Sequence, residues 1–137
     1  MTREQANLIR DCFDALWPVH RKLARTFYRK FFELAPDAQR LFSSDMERQY
    51  LNLMNMLAAI VGALDERQLF QSIIHQSGAQ HARFGVSTRH FTAFGDALIW
   101  SLEKQFGAEF TPELRKAWVA LYSLVKDLMI NAAKQAA

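Results

Sequence analysis

Cysteine is nearly absent: Cys12 is the only one among 137 residues. A single thiol excludes an internal disulfide and any four-cysteine metal site, and it reads most simply as a chain for a reducing, cytoplasmic setting. Glycine is scarce too. Gly62, Gly78, Gly85, Gly95 and Gly107 lie too far apart to build a glycine-rich dinucleotide loop, so any reductant must come from elsewhere. The longest apolar run, Met56 to Leu64, is broken by Gly62 and falls far short of the ~18 residues that a membrane span needs. Met1-Thr2-Arg3-Glu4-Gln5 has no apolar signal core, and the chain reads as soluble and unprocessed.

What is present is apolar and basic. Half of the residues are hydrophobic, enough for one domain over 1–137 with a core that can enclose a prosthetic group. The net charge of +3 is too mild to argue for nucleic acid. Arg21, Lys22, Arg25, Arg29 and Lys30 alternate with Leu23, Phe27 and Phe31 at helical spacing, which reads as one solvated and one packed face. An electrostatic dock for an acidic electron donor is the alternative.

No stretch alternates with period two, so the fold class is all-α. Thr2 with Gln5 forms a capping-box pattern that opens a first helix to about Trp17, and Pro18 resets the chain. A second helix over 19–34 turns Phe27, Phe31 and Leu34 inward. Pro36 suits the first position of a short helix ending near Phe42. A helix over 46–64 carries Gln49, Leu53, Met56, Leu57 and Ile60 on one stripe. The next, over 66–82, stacks Phe70, Ile74, Ser77 and His81. Ser87 or Thr88 can cap a helix to Phe106 with Phe91, Phe94, Leu98 and Leu102 inside, and Gly107 ends it. Thr111-Pro112-Glu113 opens a last helix that buries Trp118, Leu121, Val125, Leu128 and Met129.

Of four histidines, His20, His75, His81 and His90, His81 ends an inward-facing row. His75 is six residues earlier, about 600° of helix rotation away, and points elsewhere; His20 and His75 read as surface residues. A neutral imidazole at the buried end of a helix can bind haem iron axially, and an aromatic ring after a short helix can wedge a flat porphyrin. His81 in His81-Ala82-Arg83-Phe84-Gly85-Val86 and Phe42 after Pro36-Asp37-Ala38-Gln39-Arg40-Leu41 stand in that order.

This arrangement resembles the globin family, in particular bacterial single-domain globins and the haem domains of flavohaemoglobins, over roughly Thr2 to Ala133. The resemblance implies a globin fold of about seven helices around haem b, with His81 as iron ligand and Val86 at the family's spacing behind it. It places Tyr28 and Gln49 as hydrogen-bond donors on the opposite, gas-binding face, and Phe42, Leu53, Leu57, Phe91 and Leu98 along the pocket. Arg83, Arg89 and His90 become candidates for the haem propionates. With no histidine in the distal row, a five-coordinate ferrous iron binding O2, CO or NO reversibly is expected, for oxygen binding, transport or storage.

The chain departs from the family on the proximal side. Where flavohaemoglobins support the imidazole with Tyr and Glu, Phe91 and Ala133 stand here. The imidazole is therefore expected to donate to a backbone carbonyl or a small hydroxyl, with Ser77 one turn earlier as candidate, and electron push should be weak. Three other functions stay open: NO dioxygenase activity with a separate reductase, gas or redox sensing through a partner, and a haem-free helical interaction module. The oligomeric expectation is monomer or homodimer.

Overall fold

The computed structural model describes residues 1–83 and 85–136, without side chains at 82, 83 and 136. Its described residues form six α-helices joined by three 3-10 turns and contain no strand: α1 (Arg3–Leu16), α2 (His20–Leu34), α3 (Met46–Gly62), α4 (Arg67–Arg83), α5 (Thr88–Phe106) and α6 (Pro112–Ala136). The short third helix expected from Pro36 is a 3-10 turn, Pro36–Leu41, with Pro36 at its start. Pro18 likewise sits in a turn, Trp17–Val19, between α1 and α2.

Local chemistry explains the boundaries. Thr2 and Gln5 exchange side-chain and backbone hydrogen bonds in a full capping box at the head of α1, satisfying backbone donors that a helix start leaves free. Asp45 caps α3 by accepting from the Arg48 amide at 3.3 Å. Thr111 Oγ1 accepts from the Leu114 amide at 3.2 Å at the head of α6. Gly107 ends α5 with φ +56°, a conformation costly for any residue with a Cβ.

The helices stack by burying the predicted faces. α4 packs against α6, α2 against α5, and α1 against α6. Trp118, Phe27, Ile9, Leu16, Leu23, Met54, Ile74 and Leu102 are the largest fully buried side chains, each worth roughly 1.5–3 kcal/mol of transfer free energy. Gly78 is where α4 meets α6: a Cβ there would stand 2.7 Å from the Met129 carbonyl oxygen. Leu34 is a correction. It is 44% exposed rather than inward, because α2 ends there and Ala35, which leaves helical geometry, is the residue that is buried instead.

Cys12 lies in the core, and burial raises its thiol pKa, so it is a small apolar filler rather than a nucleophile. Among the basic residues of α2, Arg21 pairs with Glu47 and Lys30 lies 4.7 Å from the exposed Trp100 ring. No described helix is long and apolar enough to cross a membrane.

Candidate functional site

α4 presents Phe70, Ile74 and Ser77 as a buried row and ends it with half-buried His81. The imidazole Nδ1 lies 2.6 Å from the Ser77 carbonyl oxygen and 3.3 Å from Ser77 Oγ. A carbonyl can only accept, so Nδ1 carries the hydrogen and Nε2 keeps its lone pair. Both acceptors expected for this imidazole, the carbonyl and the hydroxyl, belong to Ser77.

The end of α4 is built by a short motif. The Val86 amide donates to the His81 carbonyl at 3.2 Å, and Gly85 between them has φ +78°. That pairing across a left-handed residue is the Schellman closure of a helix C-terminus. The spacing of His81 and Val86 thus has a structural cause: Val86, half-buried, folds back under the last turn. Phe91 is buried with its ring 5.7 Å from the His81 ring. Its carbonyl accepts from the Tyr122 hydroxyl, and the Tyr122 ring lies against Gly95, where an added Cβ would run into it.

A second group forms where α2, the turn Pro36–Leu41 and α3 meet. Tyr28 is 4% exposed, and Phe42 sets its ring edge-on at 5.5 Å. Phe42 also touches Phe31 at 5.8 Å and Phe32 at 5.6 Å. The Tyr28 hydroxyl points to the Gln49 carbonyl oxygen at 3.4 Å, a long and weak bond. Burial, with nearby Tyr50 second, pushes the Tyr28 phenol well above its ordinary pKa, so it remains a donor at neutral pH. Gln49 is half-buried in the first turn of α3, and Leu53 and Leu57 follow as buried residues on the same helix. Leu98 is buried in α5. Phe94 joins the two groups, 4.6 Å from Phe27 and 5.9 Å from Tyr122.

The basic candidates separate. His90, expected to face a propionate, is 4% exposed and has both ring nitrogens partnered inside the chain. Nδ1 accepts from the Ser87 amide at 3.1 Å and Nε2 donates to Asp37 at 2.9 Å. Its one hydrogen is therefore already used within the chain. Arg89 is exposed and donates to Asp37 at 2.6 Å. The Arg83 side chain lies outside the described residues. His75 is exposed, and His20 is half-buried and stacks on Trp17 at 4.6 Å.

Sequence reading missed Asp37, Tyr50 and Tyr122. A signal existed only for Tyr122: Gly95, a residue without a side chain on the apolar stripe of α5, asks for a close neighbour. A haem fits the donor chemistry here, since His81 is held in the tautomer an axial ligand needs, with the buried Phe91 ring beside it.

Comparison with known proteins agrees. The signature of the family described as Globin matches residues 25–129. A neuroglobin from Danio rerio is 25% identical, over 94% of this chain and 90% of its own length. A flavohemoprotein from Vibrio cholerae is 23% identical over 96% of this chain, which spans 34% of that longer protein. Among solved structures, an engineered carbene transferase made from a Rhodothermus marinus protein described as a nitric oxide dioxygenase superposes with TM-score 0.86 at 26% identity, over 98% of this chain and 94% of that one. A globin from Campylobacter jejuni gives TM-score 0.85 at 20% identity, over 98% and 97%, a likeness of fold. A signature spanning that much of the chain, over a helical frame that follows bacterial globins from end to end, makes this protein a member of the globin family, and membership implies a haem cofactor and a small gas as ligand.

Proposed function

We propose that the chain holds haem b through His81 Nε2 and binds O2, CO or NO reversibly, as an oxygen-binding, transport or storage protein of the cytoplasm. The observation that carries this reading is the 2.6 Å approach of His81 Nδ1 to the Ser77 carbonyl, which orients the ring and puts its lone pair on Nε2. Haem, when bound, would supply an iron able to take a diatomic gas. Phe42, Leu53, Leu57, Val86, Phe91 and Leu98 would exclude water around it. Arg89 and Arg83 remain the cations for its propionates.

Tyr28 and Gln49 would act on the gas. The Tyr28 hydroxyl is kept protonated by burial, and its present acceptor at 3.4 Å holds it only loosely, so the proton can turn to a gas that carries partial negative charge. The Gln49 amide adds a second donor. The test is stopped-flow measurement of O2 release from wild type beside Tyr28→Phe and Gln49→Leu, where faster release supports the assignment.

A second reading is favoured by the Rhodothermus marinus neighbour, whose parent is described as a nitric oxide dioxygenase. Here NO and O2 would combine to nitrate, with one electron per turnover returned by a separate reductase. Mixing O2-loaded protein with NO and counting nitrate tests it; slow or incomplete nitrate formation removes the enzyme reading.

A further inference from the structure

A polar clasp lies beside both groups of pocket residues and belongs to neither. Asp37, in the turn Pro36–Leu41, accepts through one oxygen, Oδ2, from Arg89 Nη2 at 2.6 Å and from His90 Nε2 at 2.9 Å. The Ser87 amide donates to His90 Nδ1 at 3.1 Å, which fixes the imidazole hydrogen on the nitrogen that faces Asp37. His90 thus does two things at once. It completes the capping box of α5 with Ser87, and it reaches across 53 residues of sequence to another segment. The hydrogen bond from His90, with Arg89 nearby, holds the Asp37 carboxyl below its ordinary pKa.

The placement gives the clasp its meaning. The turn bearing Asp37 packs on α2 by its apolar side, through fully buried Ala38, and it delivers Phe42 to Tyr28, Phe31 and Phe32. His90 sits in the first turn of α5, directly after the Gly85–Ser87 corner that closes α4 behind His81. The Asp37–His90 bond therefore ties the stretch that positions Phe42 to the stretch that follows His81.

We propose that Asp37 and His90 are positioning residues for the haem: their bond keeps these two walls together, and haem leaves only when it opens. The inference rests on the haem-binding reading above. Arg89 contributes little, because its side chain is 72% exposed and solvent screens such a pair. His90, almost wholly buried, is different: its N–H loses an acceptor if Asp37 becomes apolar, whereas an uncharged amide at 37 still accepts.

The experiment is transfer of haem from the loaded, full-length protein to an excess of haem-scavenging apoglobin. Asp37→Leu and His90→Leu are expected to lose haem about tenfold faster than wild type, the size of one buried hydrogen bond to a charged group. Asp37→Asn should stay within about twofold, and the double variant Asp37→Leu with His90→Leu should be no faster than its worse parent. The urea midpoint of each haem-free variant is read in parallel, because a merely structural role would move it in step with haem loss. His90→Leu also removes a helix cap, so Asp37→Leu, at a partly exposed position, decides the matter if His90→Leu fails to fold. Normal haem uptake with wild-type loss in Asp37→Leu would overturn the clasp alone, as would equal loss in Asp37→Asn and Asp37→Leu. Failure of the wild-type protein to take up haem at all would overturn the clasp together with the reading beneath it.

Discussion

Nδ1 of His81 lies 2.6 Å from the carbonyl oxygen of Ser77, one turn back along the same helix. The acceptor is backbone, so it survives any side-chain change at position 77. Ser77→Ala is expected to keep normal gas binding and to change haem affinity by no more than about twofold, since the hydroxyl at 3.3 Å is the weaker of the two partners. Haem titration of the variant checks this, and a large loss would show that the hydroxyl orients the ring. A carbonyl also pulls less on the imidazole hydrogen than a carboxylate does.

Tyr28→Phe and Gln49→Leu should each speed O2 release about ten- to a hundredfold, with CO release much less affected because bound CO carries less negative charge. The double variant need not show the product of the two effects, since both donors address one ligand. Unchanged O2 rates by flash photolysis or stopped flow would remove the distal assignment.

Tyr28 and Tyr122 both have phenol pKa values raised by burial above the ordinary 10.0. The unfolded chain releases these protons first as pH rises, so folded-state stability is complete below pH 10 and declines above it. Alkaline titration followed by phenolate absorbance should show these two tyrosines ionising only as helix content is lost. Ionisation of both in a still-helical protein would contradict the burial described here.

Gly78→Ala places a Cβ 2.7 Å from the Met129 carbonyl oxygen and 2.8 Å from the Ala132 Cβ. Neither neighbour is the end of a flexible side chain, so α4 must move away from α6. A loss of about 1–3 kcal/mol is expected in urea unfolding. Because α4 carries His81, the variant should also bind haem less tightly.

The residues that punctuate the chain made its helices legible. Thr2, Pro36, Ser87, Gly107 and Pro112 mark boundaries by local chemistry, and each lies at or next to the observed boundary. That His81 ends an inward-facing row is legible because one helix face carries Phe70, Ile74 and Ser77 ahead of it. Leu34 was misread because periodicity reports which way a side chain points, not whether a neighbour is still there when the helix stops. Asp37 and Tyr122 were invisible for another reason: their partners, His90 and the Phe91 carbonyl, are 53 and 31 residues away, and no local pattern records such pairings.

The most direct test of the account is the iron–histidine stretching band in the resonance Raman spectrum of the ferrous, gas-free protein. Wild type should show the band of a five-coordinate haem on a neutral imidazole, and His81→Ala should lose it and regain a similar band when free imidazole is added. Persistence of the band in His81→Ala, or a wild-type protein that takes up no haem, would contradict the assignment of His81.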